Sequence, residues 1–103
     1  MGWECLSRLT AMVGELSPGT VCLVGGGPGD SSLISVRGAV RLTQADVVLH
    51  DKLVGPELLE IVPPEAERIF VGKWRGTHVW TQDQINEAMV RHARSGRRVV
   101  RLK

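Results

Sequence analysis

Four short apolar runs constrain this chain more than any other feature: TVCLVG at residues 20–25, VVLH at 47–50, RIFV at 68–71 and VVRL at 99–102. Each is strand length and too short for a helix with its own buried face. The first is continuous and suits the centre of a parallel sheet, buried on both sides. The intervals carry helical signals instead. Ser35 can cap a helix over 36–45, with Val36, Ala39, Val40 and Thr43 facing the sheet. Gly55-Pro56 can open a short helix through residue 61, and Pro63-Pro64 stops it. A longer helix spans 82–94: Thr81 and Gln84 form a capping box, and Ile85, Ala88, Met89, His92 and Ala93 form its stripe. Ser95-Gly96 supplies the exit. Recurrent strand–helix–strand order predicts an α/β fold built on a parallel sheet.

A chain of 103 residues holds one domain, read here as residues 20–103. Residues 1–19 form a leader: Leu6, Leu9, Val13 and Leu16 could line a helix, but Gly14 weakens it and Ser17-Pro18-Gly19 ends it. A flexible segment, an upstream remnant and a packed helix all fit that pattern. With one Phe and no Tyr, the core must be built from Leu, Val and Ile. A formal charge of +2 is too balanced to argue for nucleic-acid binding. The stretch HARSGRRVVRLK, residues 92–103, is nevertheless basic without any acid. It reads as a solvated strand edge and helix end, or as a site for an anion or a neighbouring domain. Cys5 and Cys22 make no disulfide framework or zinc motif. No apolar run reaches membrane-spanning length, and the amino terminus has no secretory pattern, so the expected setting is the cytoplasm.

The loops after the strands carry the chemistry. GGGPGD, residues 25–30, places Asp30 where a dinucleotide fingerprint needs its third glycine, and no Gly-Lys-Ser/Thr follows for a phosphate loop. Close backbone approach is still implied by the glycines, and Asp30 sets a carboxylate at the loop's edge. Asp51 ends the second run, where it could orient a ligand or pair with Lys52 or Arg37. Residues 72–82, GKWRGTHVWTQ, mix cations, an imidazole and indoles, a composition suited to a flat anionic partner or to a surface lid. No hydrolytic triad or metal signature is legible.

Taken in order, VCLVGGGPGD, ADVVLHDKLV, AERIFVGKWRGTHVWTQDQIN and GRRVVRLK resemble the start of the uroporphyrinogen-III C-methyltransferases, a branch of the tetrapyrrole methylases that also forms the methylating part of siroheme synthase. The resemblance covers roughly residues 19–103. It implies the amino-terminal parallel-sheet domain of that fold, and a parent enzyme that moves methyl groups from S-adenosylmethionine to carbons 2 and 7 of uroporphyrinogen III, giving precorrin-2. Gly27, Pro28 and Gly29 then belong to a loop at the floor of the cleft, near the methyl donor. Asp30 and Asp51 are the catalytic candidates, Asp30 for orienting substrate or assisting proton movement and Asp51 for binding pyrrole N–H groups. Leu53 shapes the same pocket, and Lys73, Arg75, His78 and Gln82 meet peripheral carboxylates. The same resemblance implies a homodimer in the full-length enzyme and no metal.

Two positions depart from the family pattern: His50 replaces a tyrosine before Asp51, and Ser31-Ser32 replaces a proline and an acid after Asp30. Family members continue from Val-Arg-Leu-Lys into a Gly-Gly-Asp-Pro loop and a second α/β domain, so the polypeptide ending at Lys103 is expected to be inactive alone. Two other classes compete: a non-catalytic tetrapyrrole-binding or regulatory domain, and a nucleic-acid-modifying relative favoured only by local positive charge.

Overall fold

The computed structural model describes residues 2–26, 33–51, 56–72 and 79–103. Along the chain run α1 (Gly2–Val13), β1 (Val21–Val24), α2 (Val36–Gln44), β2 (Val47–His50), α3 (Pro56–Glu60), β3 (Glu67–Phe70), α4 (Gln82–Arg94) and β4 (Val99–Leu102). The four apolar runs are therefore the four strands. They form one parallel sheet in the order β1-β4-β2-β3.

Burial follows that order. All of β4 is buried, as are Val47, Val48 and Leu49 of β2. Full burial of such a side chain stabilises by about 1.5–3 kcal/mol before ordering costs. β1 does not occupy the central position its apolar run suggested. It is an outer strand of the sheet, with Leu23 70% exposed and Val24 buried on the opposite face. A continuous apolar run reports length and composition but not lateral neighbours, and here the centre belongs to the strand that carries a charge, Arg101.

Two hydrophobic layers sandwich the sheet. On one face Val24, Val48, Val100 and Leu102 pack with Leu42, Ala45, Leu58 and Val62, from α2, α3 and their ends. On the other, Val47, Leu49 and Val99 pack with Ile85, Ala88 and Met89 of α4. The stripe expected on α4 is thus correct at its buried positions, and the Thr81–Gln84 capping box is present. On α2 the expected stripe holds at Val40, which is buried, but the buried face is displaced from the rest of it: Val36 is 51% exposed, while Gly38, Leu42 and Ala45 turn inward. Gly38 explains the displacement. A Cβ there would lie 2.9 Å from Val24 Cγ1, so the missing side chain lets the helix sit directly on β1.

The leader forms α1, which ends at Gly14 in a left-handed conformation (φ 86°) rather than at the later Ser-Pro-Gly. Arg41 and Gln44 of α2 donate to the carbonyls of Val13 and Gly14, and Leu16 is buried in the core ahead of the expected start at Thr20. Below the sheet, the Asp46 carboxylate accepts from the Arg98 backbone N–H at 2.8 Å and tethers the start of β2 to that of β4.

Candidate functional site

In a parallel sheet all strands point one way, so their carboxyl ends share one edge, and the helices that follow begin there. Ser35 caps the start of α2 by accepting from the Gly38 N–H at 3.0 Å, and Thr81 caps α4 by accepting from the Gln84 N–H at 3.1 Å. Both helix starts add partial positive charge to the edge. The glycine-rich loop leaves from it as well. Gly26 donates to the Lys103 carbonyl at 2.7 Å, and a Cβ at Gly26 would lie 3.0 Å from that oxygen and 3.2 Å from Leu58 Cδ1. A side chain at 26 would therefore be tight against its neighbours, in line with the close backbone approach that the glycines imply.

Asp51 is a candidate site residue that lies among the described residues. It follows β2 directly; of the two partners considered from sequence, Lys52 lies outside the described residues, and Arg37 is not the residue that meets it. Its partner is Arg101, on the neighbouring strand β4. Arg101 Nη2 donates to Asp51 Oδ1 at 3.1 Å and to Oδ2 at 3.3 Å. Nη1 of the same side chain donates to the carbonyls of Leu102 (3.0 Å) and Leu49 (3.4 Å). The Arg101 side chain is only 4% exposed, whereas that of Asp51 keeps 32% of its surface open. A carboxylate has about four acceptor positions, so Asp51 can take the arginine on one side and a ligand N–H on the other.

His50 lies beside this pair and tilts its ring at 55° against Phe70 of β3, with centroids 5.7 Å apart. Burial pushes its pKa below the usual histidine value, opposed by Asp51 and assisted by the positive charges of Arg101 and Arg68. Near pH 7 His50 is accordingly neutral. It packs where the family pattern has a tyrosine and keeps a flat ring there.

Gln82 is the first residue of α4, at the same edge by topology, and its Nε2 donates to Asn86 Oδ1 at 3.0 Å. Gly27, Pro28, Gly29, Asp30, Leu53, Lys73, Arg75 and His78 lie outside the described residues. His92, on the α4 stripe, stands 3.2 Å from an Arg97 guanidinium nitrogen at the far end of that helix. The basic run is largely engaged within the domain: Arg97 pairs with Glu67, Arg98 with Asp46, and Arg101 with Asp51. Arg101 is the member of this candidate site that was not singled out from sequence. Its signal was a lone charge inside a buried apolar strand, which demands a counter-charge.

A hollow of about 600 Å³ opens between Asp46, Glu65, Glu67 and Arg97. These residues mark the amino ends of the strands, away from Asp51. Among the described residues no group of three or more His, Cys, Asp or Glu is placed to hold a metal ion, and no helix is long and apolar enough to cross a membrane.

Residues 20–103 match the family model of the tetrapyrrole (corrin/porphyrin) methylases. The chain is 55% identical over 98 residues to a siroheme synthase of Chromobacterium violaceum, covering 95% of this chain and 21% of that protein. It is 53% identical over 89 residues to a siroheme synthase of Tolumonas auensis, covering 86% of this chain and 19% of that one. The chain thus spans about a fifth of the length of these relatives. Among solved structures, a uroporphyrin-III C-methyltransferase from Thermus thermophilus superposes with a TM-score of 0.65 at 41% identity, covering 81% of this chain and 34% of that one. A structure of the Thermus enzyme complexed with S-adenosylhomocysteine superposes with a TM-score of 0.62 at 38% identity, covering 81% and 31%. A cobalt precorrin-4 methyltransferase gives a TM-score of 0.66 at 36% identity, covering 80% and 32%.

Proposed function

Since the chain belongs to the tetrapyrrole methylase family, we propose that it forms the acceptor-side wall of a uroporphyrinogen-III C-methyltransferase. The observation that carries this reading is Asp51, a part-open carboxylate anchored from behind by a buried arginine at the ligand edge of a parallel sheet. A porphyrinogen presents pyrrole N–H donors at its centre and carboxylates at its rim. Asp51 suits the first by accepting hydrogen bonds. Lys73, Arg75, His78 and Gln82 suit the second, and Leu53 the ring face between them.

The methyl donor of this reading is S-adenosylmethionine, which supplies an electrophilic sulfonium methyl. A Thermus relative solved with S-adenosylhomocysteine supports that choice. The glycine-rich stretch fits a close-approach role on the donor side, because a Cβ at Gly26 would already crowd the Lys103 carbonyl and Leu58. Gly27, Pro28 and Gly29 continue it. In each transfer an electron pair of the tetrapyrrole forms the new carbon–methyl bond, the sulfur–methyl bond breaks with its pair left on sulfur, and a proton leaves the tetrapyrrole. Transfers to carbons 2 and 7 yield precorrin-2. The chain's residues contribute alignment and charge complementarity rather than a covalent nucleophile. Asp51 holds the pyrrole N–H groups, and Asp30 orients substrate or receives the proton. The reading places the enzyme in the cytoplasm as a homodimer.

The test exchanges residues 20–103 for the matching segment of the Chromobacterium violaceum siroheme synthase and supplies uroporphyrinogen III with methyl-labelled S-adenosylmethionine. Two labelled methyl groups on the tetrapyrrole are expected. A folded hybrid that binds the tetrapyrrole saturably without transfer replaces this reading with a non-catalytic binding domain. RNA binding without tetrapyrrole binding replaces it with a nucleic-acid-modifying one.

A further inference from the structure

We infer that Arg101 is a positioning residue, a buried strut that fixes the direction in which Asp51 presents its open oxygen edge to a pyrrole N–H donor; this rests on the function proposed above. Four observations converge. The guanidinium is buried on the central strand, so it meets solvent less than any ordinary surface cation. It grips the carboxylate through one nitrogen, Nη2, shared between both oxygens, instead of the two-nitrogen fork of a fully consumed pair. Its other terminal nitrogen is fastened to the carbonyls of Leu49 and Leu102, on the two strands that flank the contact. Its Nε is buried and meets no acceptor among the described residues.

The last observation decides what the pair is for. A buried guanidinium whose Nε meets no acceptor among the described residues is a poor device for stabilising a sheet, since an apolar side chain of similar volume would serve as well or better. What an apolar residue cannot supply is a fixed reference for Asp51. That aspartate stands just after the last residue of β2, and the hydrogen-bond partner of its carboxylate among the described residues is Arg101. Fastening Arg101 to two strand carbonyls transfers the rigidity of the sheet to the carboxylate. Misplacement of a reacting or orienting group by an ångström lowers turnover by about 100-fold.

The experiment compares Arg101→Met with Arg101→Lys. In the 103-residue chain, three-bond couplings across the Asp51 Cα–Cβ bond report its rotamer. A single rotamer is expected in the parent and averaged couplings in Arg101→Met. In the hybrid enzyme, Arg101→Met is expected to lower kcat/KM for uroporphyrinogen III by about 100-fold, comparable to Asp51→Asn, with the double variant no worse than the poorer single one. Arg101→Lys keeps the charge but not the spread of donors, so it recovers only part of the loss. A single Asp51 rotamer together with parental kcat/KM, in whichever variant folds, overturns the proposal. An unmodified hybrid that transfers no methyl group defeats the functional reading instead, while the couplings still decide whether Arg101 fixes Asp51.

Discussion

The two ends of this sheet use the same pair of residue types for different purposes. At the amino ends of the strands, Arg97 meets Glu67 at 2.8 Å and Arg98 meets Asp46 at 3.5 Å, with every side chain between about a third and a half exposed. At the carboxyl ends, Arg101 meets Asp51 with the arginine almost completely covered. Water screens the lower pairs and shares their hydrogen bonding, so they tie strand starts together at small net gain. The upper pair has no such relief on its arginine side. A charge placed there depends on its partner, and the partner depends on it for direction.

Removing Asp51 should therefore have the largest effect. Asp51→Ala strands a buried guanidinium and is expected to destabilise the fold by about 3 kcal/mol, the low end for a broken buried pair because the Leu49 and Leu102 carbonyls remain. Urea denaturation of the chain measures it, and the double variant with Arg101→Met should regain most of the loss. If the single variant unfolds at the parental urea concentration, the two ends are energetically alike and the contrast fails.

A smaller effect comes from His50, at the same end. Its pKa is lowered in the folded chain, mainly by burial, so the unfolded state binds the proton more readily. Stability is then complete above the unfolded value of about 6.5 and declines as pH falls through the depressed folded value. The slope for this one group cannot exceed about 1.4 kcal/mol per pH unit. His50→Phe should flatten the decline, and an unaltered pH dependence would assign it to other groups. The smallest effect belongs to the lower end: Glu67→Gln is expected to change stability by at most about 1 kcal/mol, a difference that disappears in 1 M salt. A large, salt-resistant loss would show that the lower pairs are not simple surface pairs.

Local pattern carried the strands, the α4 cap and the place of Asp51 at the carboxyl end of β2, because each rests on neighbours in sequence. Strand order did not follow from it. β1 and β4 are both short apolar runs, and only long-range pairing puts Val99–Leu102 at the centre and leaves Leu23 facing outward. The part of the α2 face beyond Val40 was hidden for a related reason, since Gly38 acts through Val24 on another element. Arg101 was legible as an anomaly within VVRL, but its partner lies 50 residues away and no spacing rule connects the two.

The position of β4 has a further consequence, for the order of assembly. β1 and β2 are both complete in sequence well before β4, yet they do not pair with each other; each pairs with β4. Without residues 99–102, β1 has no strand partner and the β2 edge of the β2–β3 pair is bare, so the two halves of the sheet are joined only by β4. Such a gap delays cooperative folding and exposes unpaired strand edges to other chains. The strand that holds the arginine strut is also the one that joins β1 to the rest of the sheet, so the Asp51–Arg101 pair is complete only with β4 in place beside β2.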